Sequence, residues 1–207
     1  MSYKGQKLVP PPTSGWSWYN QQSSTATTID NNAINFYTPK HGSANADDTT
    51  GYYRTAPSTP YTIIANLTYN GVDRNSTTGL VLTPGLGFSN GTTSSYINPR
   101  IYDTGYGLCV TYWSVHGTAN SNDFNDQPAT ATPYPWSTTQ WMMIRDDGTN
   151  VYYYMSNDNQ ENGKSWVKIL SYGRNVYDIK ANVGVFWNGR GNVDINCTIN
   201  SWQVLAV

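Results

Sequence analysis

The 207-residue chain holds few charged residues, 12% Asp, Glu, Lys and Arg together, but 17 Tyr and 8 Trp, and its net charge is -1. Its polarity comes from Asn, Ser, Thr, Gly and Tyr, and Glu161 is the sole Glu. That excludes a helical protein, which draws on Ala, Leu, Glu and Lys in quantity. The near-zero charge gives no electrostatic basis for binding nucleic acid or anionic lipid.

No apolar run approaches the roughly 18 residues of a membrane span, so no membrane insertion is expected. Length and composition fit one all-β domain with a sizeable core. The chain opens with a polar stretch that leads into Pro10, Pro11 and Pro12 instead of an apolar run, so no secretory signal is expected. Residues 1–15 read as an extended arm. Its prolines have φ already fixed, which lowers the cost of ordering, and Tyr3, Leu8 and Val9 give it something to bury. The arm is predicted to lie across another subunit or a neighbouring protein as an attachment device. The alternative is an arm folded back on its own domain.

Residues 16–207 read as the domain itself. Short strands are predicted at 16–21, 27–29, 33–37 and 51–54, then at 61–69, where Tyr61, Ile63, Ile64 and Leu67 make the best isolated strand of the first half. Further strands are expected at 79–82, 86–88, 95–102 and 106–115, followed by an irregular segment at 119–135 with Pro128, Pro133 and Pro135. Residues 136–166 carry the plainest signal. Trp141, Met143 and Arg145 alternate with Met142 and Ile144, and Val151, Tyr153 and Met155 alternate with Tyr152 and Tyr154. Asp147-Gly148 between them is a hairpin signal, because Gly supplies positive φ without strain. A strand at 165–172, another at 181–187 and a closing one at 194–204 complete an antiparallel array. Ile63, Leu67, Leu80, Leu82, Ile144, Val151, Trp166, Val183 and Val185 are expected in the core, together with Trp18, Trp141 and Trp202.

In order and spacing these segments resemble the concanavalin A-like (laminin-G, lectin/glucanase) jelly roll, in the version found in tailed-phage virion proteins. The likeness is carried by Trp18-Tyr19-Asn20-Gln21, by the run from Tyr53-Arg54 through Pro60-Tyr61 into the 63–69 strand, and by Gly79-Leu80-Val81-Leu82. Trp141 to Gly148, Trp166-Val167, Val183-Gly184-Val185 and Ser201-Trp202-Gln203-Val204 complete it. The resemblance implies a two-sheet antiparallel β-sandwich and a non-enzymatic structural protein of the virion, in capsid decoration or the tail. It also implies other virion proteins and copies of itself as partners, and a host surface glycan as ligand. A free-standing carbohydrate-binding module is the alternative.

Retaining glycoside hydrolysis needs two carboxyls about 5 Å apart. Glu161 has no second carboxylate at strand spacing, and Asp146-Asp147 either point to opposite faces of a strand or belong to the turn, so no catalytic residues are expected. His41 and His116 are the only histidines, and no nucleophile elbow accompanies them. Sugar rings stack on exposed aromatics, and the loop-proximal rings are the better candidates: Tyr112 and Trp113, Tyr134 and Trp136, and Trp187 with Asn188 and Arg190. The competing reading of each is packing or a protein interface. Asp123, Asn125 and Asp126 have the ligand types of a Ca²⁺ loop, against an Asx-rich turn that caps its own backbone. No cofactor is expected. Cys109 and Cys197 read as two buried thiols, with a disulfide as the alternative. Sequons at Asn66, Asn75, Asn90 and Asn196 read as products of an Asn/Thr-rich composition.

Overall fold

The computed structural model describes residues 8–21, 23–39, 49–70, 73–74, 81–82, 84–102, 107–117, 126–130, 139–156, 166–176, 180–188 and 194–206; for residues 70–82, 95–117, 126–130 and 188 it describes the backbone course alone. They form two antiparallel sheets, and no helix occurs among them. The first sheet contains β1 (Ser17–Tyr19), β4 (Thr49–Thr55), β6 (Asp73–Arg74), β7 (Val81–Leu82), β8 (Gly85–Ser89), β9 (Thr93–Tyr102), β10 (Gly107–Gly117), β11 (Asp126–Thr130) and β15 (Asn182–Asn188). Its main path runs β1-β4-β15-β8-β9-β10-β11. The second sheet contains β2 (Thr25–Ile29), β3 (Ala33–Thr38), β5 (Tyr61–Asn70), β12 (Thr139–Asp146), β13 (Asn150–Ser156), β14 (Val167–Gly173) and β16 (Ile195–Ala206), in the order β14-β13-β12-β5-β16-β3-β2.

The core lies between the sheets and follows the period-2 rule of a pleated strand. From β5 it takes Tyr61, Ile63, Ala65, Leu67 and Tyr69, and from β12 and β13 Met142, Ile144, Val151, Tyr153 and Met155. The facing sheet adds Leu86, Phe88, Val183, Val185 and Trp187. The hairpin at 146–151 forms where the Asp-Gly signal falls, one residue later than that signal: Asp147 N donates to Asn150 O, which leaves Gly148 and Thr149 as the central pair. Gly148 takes φ +88°, the positive value that glycine supplies at little cost. The Asp147 carboxylate accepts the amides of Thr149 and Asn150 at 2.9 and 2.7 Å. These bonds hold its pKa below the usual carboxylate value, the amide of Asn150 contributing most.

Four expectations change. The segment 119–135, expected to be irregular, contains β11, which pairs with β10 from Trp113↔Asp126 to Val110↔Thr130; an edge strand tolerates Pro128, whose missing N–H can face away from the ladder. Trp166 precedes β14 and is only half-buried, so it is no core residue. Trp141 is buried, but in a cross-strand row with Asn66 and Ser156 outside the core cluster. The described part of the arm lies on its own sandwich. Trp202 N donates to Val9 O at 2.9 Å, Val9 N donates to Ser201 Oγ at 2.9 Å, and Pro11 is buried. The physical reason is that β3 pairs with β16 only from Ile195 to Ile199, so the edge beyond needs another partner and Val9 supplies one. Tyr3, Leu80 and the side chain of Leu82 lie outside the described residues.

Candidate functional site

Of the rings expected to form a sugar platform, Trp187 is excluded. It is fully buried and stacks on Phe36 from the opposite sheet, centroids 4.4 Å apart and planes at 7°. Strand phase explains this, because Trp187 continues the Val183, Val185 row that faces the core. Tyr112 and Trp113 fall in adjacent rows of β10. Tyr112 is in register with Ile97 and through it with the core residue Leu86, whereas Trp113 is in register with Tyr96, Gly87, Gly184 and Tyr53. Tyr134, Trp136 and Arg190 lie outside the described residues, as do Asp123, Asn125, Glu161 and His41. Asn188 ends β15 and Asp126 begins β11. Cys197 is a buried free thiol, and burial raises its pKa.

The row of Trp113 crosses the outer face of the first sheet, and that face is concave. The Tyr19 hydroxyl donates to the carbonyl of Thr92 at 2.9 Å, although β1 stands three places from β8 in the sheet order. The bond can close only if the sheet curls. Tyr19 and Phe186 meet edge to face at 5.9 Å, and both are fully buried. They fill the middle of the concavity with a second small core. Gly51 makes room for it, since a Cβ there would stand 2.2 Å from Phe186 Cδ1.

Aromatic surface is reachable instead at the edge where β1 and β4 approach β16. Trp16, Trp18, Tyr52 and Arg54 are each half-buried there. Trp16 lies parallel to Tyr52 at 5.2 Å and 5°, and meets the buried Trp202 edge to face at 5.0 Å. Trp18, in register with Tyr52, packs on it at 4.6 Å and touches Trp187 at 6.3 Å. Trp16 Nε1 donates to Pro12 O at 2.7 Å, which ties the cluster to the arm. The Arg54 guanidinium lies over the Trp16 ring, Cζ 5.5 Å from the centroid. Burial lowers the Arg54 pKa, and Arg54 Nη1 is buried without a hydrogen-bond partner among the described residues. A Cβ at Gly15, which takes φ +78°, would stand 3.2 Å from Arg54 Nη2, so glycine lets the arm run close over the guanidinium.

The sequence singled out Trp18 as core and did not single out Trp16 or Arg54. The available signal was Trp16-x-Trp18 opposite Tyr52-x-Arg54, two alternating pairs in strands that become neighbours. Chemically the edge offers aromatic surface and a guanidinium, the Trp16 N–H being engaged by Pro12 O. The buried carboxylate of Asp146, at the far end of the core, is already taken: Arg174 Nε donates to both its oxygens at 3.1 and 2.9 Å, and Gly148 N donates at 3.0 Å. No group of three His, Cys, Asp or Glu suited to a metal occurs among the described residues.

The architecture is a two-sheet antiparallel β-sandwich of the kind found in jelly-roll lectins and glycosidases. Three solved structures illustrate the likeness. The VIP36 exoplasmic/lumenal domain, bound to Ca²⁺ and Man3GlcNAc, aligns with TM-score 0.58 and 9% identity over 97% of this chain and 89% of that one. A functionally unknown protein from Saccharomyces cerevisiae aligns with TM-score 0.56 and 9% identity over 93% and 97%. An engineered GH43 glycoside hydrolase aligns with TM-score 0.58 and 14% identity over all of this chain, which spans 41% of that enzyme. At these identities the likeness is one of fold. No family model matches the sequence, and no curated protein matches it.

Proposed function

We propose that the chain is a non-enzymatic, glycan-binding β-sandwich and that the edge cluster of Trp16, Trp18, Tyr52 and Arg54 is its binding surface. The observation that carries this reading is the stack of partly exposed rings beside a guanidinium whose Nη1 has no acceptor among the described residues. Apolar sugar faces lie against such rings, while the guanidinium donates to polar groups of the sugar. Support comes from a fold shared with a domain solved with Man3GlcNAc and with a glycoside hydrolase. The non-enzymatic part rests on Asp146 and Asp147, whose oxygens are engaged by Arg174 and by turn amides. The resemblance of its segments to tailed-phage virion proteins leads us to place this module on a virion, in capsid decoration or the tail, as an adhesin for host surface glycans.

A glycan array with the wild type, Trp16→Ala and Trp18→Ala tests the binding surface. Wild-type binding that both variants lose, with the fold retained by circular dichroism, is the expected result. Unchanged binding by both variants would move the site elsewhere, and release of reducing ends from any bound polysaccharide would make the chain an enzyme. Mass spectrometry of purified particles tests the virion placement, which falls if the chain is missing from them.

A further inference from the structure

Arg54 is the part of this edge that packing leaves unexplained. A guanidinium carries five N–H donors and no acceptor, and buried polar groups are ordinarily hydrogen-bonded. Among the described residues nothing accepts from Arg54, and no carboxylate pairs with it. Arg174 makes the contrast, since its Nε holds both oxygens of Asp146. Arg54 has instead the face of Trp16 at 5.5 Å and the backbone of Gly15 nearby. Nη1 is shielded from solvent and still lacks an acceptor. The guanidinium is thus held against the Trp16 ring, desolvated on one side, and without an acceptor among the described residues.

Resting on the glycan-binding reading above, we infer that Arg54 anchors an oxyanion on the sugar, so that the glycans taken by this edge are acidic ones bearing carboxylate or sulfate. With Nη1 shielded, the Nε and Nη2 side of the planar fork is the one that meets either group with two parallel hydrogen bonds, and partial desolvation strengthens them. Trp16 keeps the guanidinium in one orientation in this arrangement.

The test is isothermal titration of the full chain with polygalacturonate, dextran sulfate and unmodified dextran, for the wild type, Arg54→Gln and Arg54→Lys. Polygalacturonate reports on carboxylate, dextran sulfate on sulfate, and dextran on the neutral background. The expected result is that at least one acidic polymer binds more tightly than dextran. Arg54→Gln should then lose about tenfold or more of that affinity, and Arg54→Lys should fall between, because it keeps the charge without the fork. Acidic polymers that bind no better than dextran, or an Arg54→Gln variant that binds them as the wild type does, would overturn the inference while the glycan-binding reading stands. If no polysaccharide binds at all, both fall. Melting curves check that each variant folds. Should Arg54→Gln not fold, Arg54→Lys decides, and undiminished affinity there would count against the fork.

Discussion

Trp16 stands at the outer end of one line of touching rings, and Trp187 stands near its inner end. The line runs Trp16, Tyr52, Trp18, Trp187, Phe36, with centroid separations of 5.2, 4.6, 6.3 and 4.4 Å. At the inner end the ring is sealed between two sheets. At the outer end it shares its surroundings with solvent, an arginine and the described part of the arm. The same residue type in the same line is therefore sealed in the core near one end and keeps part of its surface in solvent at the other. Solvent access sets the division: Trp16 and Trp18 are partly exposed, whereas Trp187 is fully buried.

The sharpest way to break the comparison is to empty both ends. Trp187→Ala should cost about 3–5 kcal/mol, the range for removing a buried aromatic side chain, read as a shift in urea midpoint at unchanged slope. A loss below about 1 kcal/mol would mean that the ring is not sealed. Gly51→Ala comes next. Its new Cβ would meet the ring of Phe186, which is itself wedged against Tyr19, and overpacking of this kind costs about 1–3 kcal/mol. A neutral Gly51→Ala would show that the concave face is looser than its full burial implies. Trp16→Ala should cost less than Trp187→Ala, since part of its surface is already exposed, yet it should abolish glycan binding. If Trp16→Ala proves as destabilising as Trp187→Ala, the edge is core and the binding reading weakens.

How much of this was legible in the sequence follows from the same distinction. The hairpin of β12 and β13 was readable because its alternation and its turn glycine are local, and Ile63, Leu67, Ile144, Val151, Val183 and Val185 fell in the core as their period required. Period alone cannot say whether the other face is covered. Trp141 is buried on that face, and Trp187, placed beside a Gly-rich loop by sequence, belongs to the core row. Trp166 failed for a related reason: it lies just outside β14, and strand ends are where a two-residue phase loses its meaning. β11 was hidden by Pro128. The edge cluster could not be read because it depends on β1 meeting β4, and on β3 ending before β16 does, which only the assembled sheets reveal. That early end of β3 also decided the fate of the arm.

The smallest expected effect concerns Tyr19, whose ring fills the concave face while its hydroxyl bridges to the β8–β9 turn. Burial is the main cause that pushes its pKa up to about 12, against an ordinary value of 10.0, with a hydrogen bond to Ser94 opposing it slightly. The folded state thus holds the phenol proton more tightly than the unfolded chain does. Stability contributed by the neutral phenol is complete below about pH 10, where the unfolded chain would begin to ionise, and declines as pH rises through about 12. The direction agrees with the geometry, because an ionised Tyr19 could no longer donate to Thr92. Tyr61, buried beside Asp146, is shifted in the same direction and more strongly, so it steepens the same decline. Tyr19→Phe should cost about 1 kcal/mol at neutral pH for the lost hydrogen bond, and it should make the stability profile shallower between about pH 10 and 12 without flattening it. Equilibrium urea unfolding at several alkaline pH values measures both. A Tyr19→Phe profile parallel to the wild type throughout that window would show that Tyr19 ionises as freely folded as unfolded, and that the concavity is open to solvent.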